Sequence, residues 1–203
     1  MNKIVKVYSH RRSGTNYLCG LMYVNYYKGM DLKSKTESEI DGRYFVSLDG
    51  STVRYNEWGG LFGSHSPNPP KNLDLDSSIY IRRDPVDTAY SLYNRGKKIK
   101  SRRKHEEQMG LSDETFTDYV KRKQKGFTIV EHIKIHHKNW ENTGIYIVDY
   151  EDLYKDPIII MVSIEERFGL KRLQPKIELI GKVGWTPGRG IPNEGGRALD
   201  ENR

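Results

Sequence analysis

The chain has 203 residues, with 34 Lys and Arg against 27 Asp and Glu and a formal net charge of +7. This length suffices for one domain with a full core, and the excess of positive charge favours anionic ligands without identifying one. The single cysteine, Cys19, excludes a disulfide within the chain, and no apolar run approaches the roughly 20 residues that span a bilayer. The chain begins directly with a predicted strand and shows no signal peptide, so we expect a cytoplasmic protein without a membrane span.

A strand, a basic turn and a helix open the chain. Residues 4–8 predict a short apolar strand, and the periodicity of the residues from Thr15 to about Lys28 predicts a helix. A tight turn between them directs backbone N–H groups at one spot, and the helix start adds partial positive charge there. The turn therefore suits a phosphate group. It is not a Walker loop, because that loop needs a Gly-Lys pair and this turn has none. Arg12 stands three residues ahead of Thr15 instead.

Strands alternate with helices along the rest of the chain. Strands are predicted over residues 44–48, 78–82 and 145–148, and helices over residues 85–94, 111–123, 128–141 and 157–168. The tail, residues 181–203, is rich in Gly and Pro. The alternation predicts an α/β fold in which a mostly parallel central sheet is flanked by helices, as a single domain over residues 1–203.

Three separated segments resemble the sulfotransferases that use 3′-phosphoadenosine 5′-phosphosulfate (PAPS). Residues 12–17, Arg-Ser-Gly-Thr-Asn-Tyr, are similar to the 5′-phosphosulfate loop of that family. Residues 83–91 resemble its 3′-phosphate motif, an Arg at a strand end followed eight residues later by a Ser. Residues 148–157 contain the Tyr-Glu-Asp-Leu segment of the family. The order and spacing also match, so the resemblance implies a sulfotransferase fold of the P-loop NTPase-like type.

The resemblance also implies the donor-binding residues. Arg12 and the first N–H groups of the helix would neutralise the charge that grows on the 5′-phosphate leaving group. Arg83 would bind the 3′-phosphate through two N–H bonds, assisted by the hydroxyl of Ser91. The rings of Tyr17 and Tyr150 would contact adenine. The family also has a late Arg-Lys-Gly segment that closes over the 3′-phosphate, and here residues 181–185 and residues 188–190 are both similar to it, with Arg189 as the chosen residue. The predicted donor site comprises Arg12, Ser13, Gly14, Thr15, Asn16, Tyr17, Arg83, Ser91, Tyr150 and Arg189, with no metal ion.

Sulfuryl transfer needs a base for the acceptor, and histidine titrates near neutral pH. Residues 63–67, Gly-Ser-His-Ser-Pro, resemble the segment that carries the family's catalytic histidine, so His65 is the predicted base and Arg12 the second catalytic residue. Gly63 and Ser66 depart from the family pattern, which has Lys and Leu there. The alternative bases are Glu57, Asp49 and His10.

Plainer interpretations of these residues stay open at this point. Arg83 alone fits a surface arginine, Tyr150 fits a core ring, and His65 fits a structural histidine beside a turn. His132 and His136 have the i, i+4 spacing of zinc ligands, but a third ligand is not evident.

The predicted function is transfer of a sulfuryl group from PAPS to a hydroxyl or amine, which leaves 3′-phosphoadenosine 5′-phosphate (PAP). Residues 29–62 and 95–112 are expected to form variable loops on the acceptor side. The acceptor is a small molecule or a glycan, and the basic run at residues 95–104 suits an anionic one.

Two other functions compete with this one. A small-molecule kinase of the P-loop type is disfavoured by the missing Gly-Lys pair. A basic nucleic-acid-binding protein fits the charge, but the sequence matches no such module, so we expect no nucleic-acid partner.

Overall fold

The computed structural model describes residues 2–30, 32, 43–47, 52–54, 58–102, 114–185 and 197–198. In chain order the elements are β1 (Lys6–Ser9), α1 (Thr15–Met22), β2 (Arg43–Ser47), β3 (Thr52–Arg54), β4 (Ser78–Arg82), α2 (Pro85–Arg102), α3 (Phe116–Lys121), β5 (Lys123–Gln124), β6 (Phe127–Thr128), α4 (Ile129–Glu141), β7 (Tyr146–Asp149), α5 (Tyr150–Lys155), α6 (Pro157–Phe168), β8 (Ile180–Trp185) and β9 (Arg197–Ala198). Within these residues no helix is both long and apolar enough to cross a bilayer.

The central sheet is parallel, with the strand order β1-β4-β7. An extended segment, residues 62–64, runs beside the outer edge of β1. Phe62 forms a parallel bridge with Val7, the N–H of Gly63 donates to the carbonyl of Val7, and the N–H of Ser9 donates to the carbonyl of Ser64. The carboxyl ends of four parallel segments therefore meet at one edge, which is where open α/β sheets bind ligands.

Helices pack on both faces of this sheet. The alternating side chains of β4 show the division: Ile79 and Ile81 join a core with α1 and α6, whereas Tyr80 packs with Trp140 of α4. The predicted α/β architecture, a mostly parallel central sheet flanked by helices, is confirmed.

Helix α1 is apolar on every side because it lies between two sheets. It contacts β1 of the parallel sheet and also β2 and β8 of a second sheet. All but one of its residues are buried, which is typical of a helix covered all round. The prediction of a helix to about Lys28 is close to the structure, in which α1 continues as a π-helical segment over Tyr23–Tyr27.

A second sheet of order β3-β2-β8-β9 was not predicted as a sheet, although the strand predicted over residues 44–48 corresponds to β2. Its strand β8 includes the first residues of the segment predicted as a Gly- and Pro-rich tail, and β8 pairs antiparallel with β2. Gly181 and Gly184 weaken the strand signal because glycine has no side chain to pack on a sheet.

Capping explains most helix boundaries. Thr115 is the N-cap of α3, because its hydroxyl accepts from the N–H of Asp118 while the Asp118 carboxylate accepts from the N–H of Thr115. Thr128 and Glu131 form the same capping box before α4. Helix α2 extends to Arg102 rather than ending near residue 94, because Lys and Arg favour helix once one is started.

Candidate active site

The loop between β1 and α1 turns through two residues with positive φ. Arg12 has φ 71° and Gly14 has φ 86°. For a non-glycine residue this left-handed conformation costs about 1–2 kcal/mol. Gly14 has a second constraint, because an added Cβ would lie 2.1 Å from Cδ2 of Tyr150. The loop therefore accommodates only glycine at position 14, and it brings its backbone directly against the ring of Tyr150.

The start of α1 offers donors without a capping side chain. Gly14 is the N-cap residue, and its carbonyl accepts from the N–H groups of Tyr17 and Leu18. Because glycine has no side-chain acceptor, the N–H groups of the first turn receive no side-chain cap. The hydroxyl of Ser13, which is fully buried, has no hydrogen-bond partner within the described residues. These groups suit an anionic ligand at the helix start.

Residues from the three predicted motifs contact one another at this edge. Nε of Arg12 donates to Oγ of Ser91 at 3.1 Å, which joins the loop to α2. The guanidinium of Arg83 lies over the ring of Tyr150, 4.9 Å from its centroid. The Tyr150 ring thus lies against both Gly14 and Arg83. Burial raises the pKa of the Tyr150 hydroxyl. The fold assembles the loop, the β4–α2 junction and the start of α5 into one site.

Two adjacent arginines at the end of β4 have different environments. Arg82 forms ion pairs with Asp149 and Glu141, and its hydrogen bond to Asp149 raises its pKa. Arg83 has a longer ion pair with Asp87, at 3.6 Å, and its Nε is buried without a hydrogen-bond partner in the part of the chain that the structure describes. Arg83 therefore retains N–H groups for a ligand.

Thr88 was missed by sequence reasoning. It lies on α2 one turn before Ser91, and the i, i+3 spacing puts both hydroxyls on the same side of the helix. Thr88 is fully buried, and its Oγ1 has no partner among the described residues. The i, i+3 spacing between Thr88 and Ser91 is the sequence feature from which Thr88 could have been identified.

The imidazole of His65 is oriented by Ser9. Its Nδ1 lies 3.0 Å from both the carbonyl oxygen and the hydroxyl of Ser9. Since a carbonyl oxygen only accepts, Nδ1 carries the hydrogen and the lone pair of the neutral ring is on Nε2. The Ser9 hydroxyl also lies 2.5 Å from that of Thr15, so Ser9 connects His65 to the start of α1. The sequence did not identify Ser9.

The departure from the family pattern at position 63 has a packing reason. A Cβ on Gly63 would lie 2.4 Å from Cε1 of Tyr8. The Tyr8 ring in turn packs on Trp140, with 4.8 Å between centroids. A lysine would therefore displace the Tyr8 ring from the space that it fills here.

Three further histidines lie close together, and one of them, His136, contacts the carbonyl of His65. The ring of His10 packs edge-on against that of His136, with centroids 5.1 Å apart, and its Nδ1 donates to the carbonyl of Arg11. Burial lowers the pKa of His10, and it lowers the pKa of His136 and of His137 to about 4. These three rings are therefore neutral at neutral pH.

The histidine pair with zinc-ligand spacing is engaged in other contacts. Both ring nitrogens of His136 lie within hydrogen-bond distance of protein oxygens, and Nε2 of His132 donates to the carbonyl of Gln124. Among the residues that the structure describes, no group of three or more His, Cys, Asp or Glu side chains is arranged to hold a metal ion.

The remaining predicted residues are distributed as follows. Tyr17 is only 8% exposed and packs in the main core, where burial raises its pKa to about 12. Asn16, half-buried, lies in the first turn of α1. Arg189 and the alternative bases Asp49 and Glu57 lie outside the described residues. Residues 97–102 of the basic run form the end of α2.

Comparison with known proteins identifies the family. The family model for the sulfotransferase domain matches residues 61–180, more than half of the chain. A search of curated proteins finds no match. Among solved structures, mouse sulfotransferase SULT7A1 complexed with PAP is similar with a TM-score of 0.48 and 18% sequence identity. That match covers 82% of this chain and 57% of the mouse chain, so the chain spans little more than half the length of that protein.

Proposed function

This chain belongs to the sulfotransferase domain family, and from that premise we propose that it transfers a sulfuryl group from PAPS to a hydroxyl or amine acceptor. The observation that carries the proposal is the meeting of three motifs at one sheet edge, where Arg12 bonds to Ser91 and Arg83 lies over Tyr150. The product of the donor is PAP, and the acceptor is a small molecule or a glycan.

The buried polar atoms support a ligand with two anionic ends. Ser13 Oγ lies at the phosphate loop, whereas Arg83 Nε and Thr88 Oγ1 lie at the β4–α2 junction, and none has a partner within the described residues. Leaving a buried polar group unpaired costs about 1–3 kcal/mol. PAPS carries a phosphosulfate at one end of its ribose and a phosphate at the other. We assign the phosphosulfate to the loop with Ser13 and the 3′-phosphate to Arg83 and Thr88.

Arg12 and the start of α1 would stabilise the leaving group. When sulfur is attacked, negative charge grows on the 5′-phosphate, and preorganised N–H donors lower the energy of that state. The bond from Arg12 to Ser91 holds the guanidinium between the loop and the β4–α2 junction, which supports a role beside the donor.

His65 would remove the acceptor proton through Nε2. The Ser9 carbonyl fixes the tautomer that leaves the lone pair on this nitrogen. A general base contributes roughly 10²–10⁴-fold to the rate. The two residues would thus have separate roles: Arg12 stabilises the leaving group, and His65 deprotonates the attacking group.

An acceptor screen with ³⁵S-labelled PAPS tests the proposal. Phenols, alcohols, amines and anionic glycans are offered in the presence of a chelator, and label should pass to at least one class. Transfer of phosphate from ATP that requires magnesium, with no transfer of label from PAPS, would instead indicate the kinase. Binding of RNA or DNA that weakens steeply with salt would indicate the nucleic-acid-binding alternative.

A further inference from the structure

One face of α4 holds the loop that carries His65. The carbonyl oxygens of residues 65, 66 and 67 lie within hydrogen-bond distance of His136 Nε2 (3.3 Å), Trp140 Nε1 (2.9 Å) and Asn139 Nδ2 (3.1 Å) respectively. Positions i, i+3 and i+4 share one face of a helix. The last backbone hydrogen bond between this segment and β1 is the one from Ser9 to Ser64. The three carbonyls that follow it are therefore held by side chains of α4.

The protons on His136 follow from its partners. A carbonyl oxygen only accepts, so Nε2 of His136 donates to His65, and Nδ1 accepts from the hydroxyl of Tyr80 at 2.8 Å. Tyr80 lies on the central strand β4 and is fully buried. Its ring stacks on Trp140, with 5.2 Å between centroids and 8° between planes. The donor face of α4 is therefore fixed to the middle of the sheet.

His65 is consequently held at two points, its ring by Ser9 and its carbonyl by His136. We propose that His136 is a positioning residue for His65, and that with Asn139 and Trp140 it sets the distance of the loop from β1. This inference rests on the proposed function, in which His65 is the base. A displacement of about 1 Å in a catalytic group lowers a rate by up to about 10²-fold.

His137 provides a matched control. It is the next residue, has the same side chain and is almost as buried, at 7% exposure against 3% for His136. Its Nε2 has no hydrogen-bond partner among the described residues. The variants His136→Leu and His137→Leu thus remove the same buried ring from the same helix, but only the first removes a bond to the His65 loop.

The first experiment compares turnover of PAPS in these variants, measured as PAP released with an acceptor from the screen or with water. His136→Leu should lower kcat by roughly 10–100-fold, with unchanged KM for PAPS and unchanged affinity for PAP. His136→Gln, which keeps a side-chain N–H donor, should recover most of the loss, and His137→Leu should match the wild type. An equal loss in His137→Leu, or a wild-type kcat in folded His136→Leu, would overturn the proposal.

Asn139→Ala covers the case in which His136→Leu does not fold. Asn139 is only half-buried, so its removal leaves the core intact while releasing the carbonyl of Pro67. We expect a smaller loss of kcat at constant PAP affinity, and a wild-type kcat would count against the proposal.

Hydrogen exchange separates this inference from the proposed function, because it needs no turnover. Amides of residues 62–66 and of Asn68 should exchange faster in His136→Leu, or in Asn139→Ala, than in the wild type and in His137→Leu. Unchanged exchange would overturn the role of α4. A wild type that transfers no sulfuryl group would refute the proposed function, while the exchange rates would still decide whether α4 holds the loop.

Discussion

The two sides of the candidate site differ in how far the protein satisfies its own polar groups. On the base side, Ser9 binds the ring of His65, and α4 binds the carbonyls that follow it. On the donor side, the buried Ser13 Oγ, Arg83 Nε and Thr88 Oγ1 have no partners within the described residues. Under the proposed function, the protein alone would preorganise His65 as the base, whereas PAPS would complete the donor side.

The largest expected effect is on the base side. We expect His65→Ala to lower turnover by roughly 10²–10⁴-fold while PAP affinity stays constant, because a base contributes to the transition state and little to donor binding. Steady-state kinetics together with calorimetry measure both quantities. Arg12→Ala should differ by weakening PAP as well. Near-normal turnover in His65→Ala would move the base to His10, Glu57 or Asp49.

The next effect concerns the donor side. Arg83→Ala should weaken binding of PAP by about 2–3 kcal/mol, the scale of a hydrogen bond to a charged group. Binding of AMP, which lacks the 3′-phosphate, should change much less. Calorimetry with a chelator present measures both ligands.

Arg82→Ala is the matched control for that variant, because Arg82 is engaged by Asp149 and Glu141. It should lower the free energy of unfolding more than it weakens PAP. Wild-type affinity for PAP in Arg83→Ala, or equal wild-type affinities for PAP and AMP, would contradict the assignment of the 3′-phosphate to Arg83.

His137 of α4 lies outside this comparison, and its buried Nε2 has no partner in the described chain. Burial lowers its pKa to about 4 in the folded protein, against about 6.5 when unfolded. Between these values the unfolded chain binds more protons, so stability falls as the pH decreases from about 6.5 to about 4. Each such histidine lowers the free energy of unfolding by at most about 1.4 kcal/mol per pH unit in this range.

His137→Leu should therefore reduce this loss of stability with decreasing pH. Urea unfolding at several pH values between neutrality and pH 4.5 measures the slope. Lys134→Ala, an exposed change on the same helix, should keep the wild-type slope. Identical slopes for the wild type and His137→Leu would show that His137 does not titrate in this way.

The smallest effect is expected at Ser9. Ser9→Ala removes a hydroxyl that contacts His65 and Thr15, but it leaves the carbonyl that fixes the tautomer. We expect kcat to decrease by less than about tenfold, corresponding to about 0.5–1.5 kcal/mol for one hydrogen bond. Kinetics at saturating PAPS measure it. A loss as large as that of His65→Ala would mean that the hydroxyl, and not the carbonyl, controls the ring.

The sequence by itself determined the local features of this protein. The turn between β1 and α1, the three strands of the parallel sheet and the starts of α4 and α6 follow from residues close together in the chain. The place of Gly14 in this loop was predicted from its neighbours in the sequence, but its contact with Tyr150 was not predicted.

Only the tertiary structure decided which of these residues meet. The bond between Arg12 and Ser91 joins residues 79 positions apart, and that between His136 and His65 joins residues 71 apart. The second sheet likewise pairs β2 with the distant strand β8, whose glycines give little strand signal. No sequence pattern gives the surroundings of Ser9, Thr88 and His136, because these arise from the packing of strands and helices that are far apart in the chain.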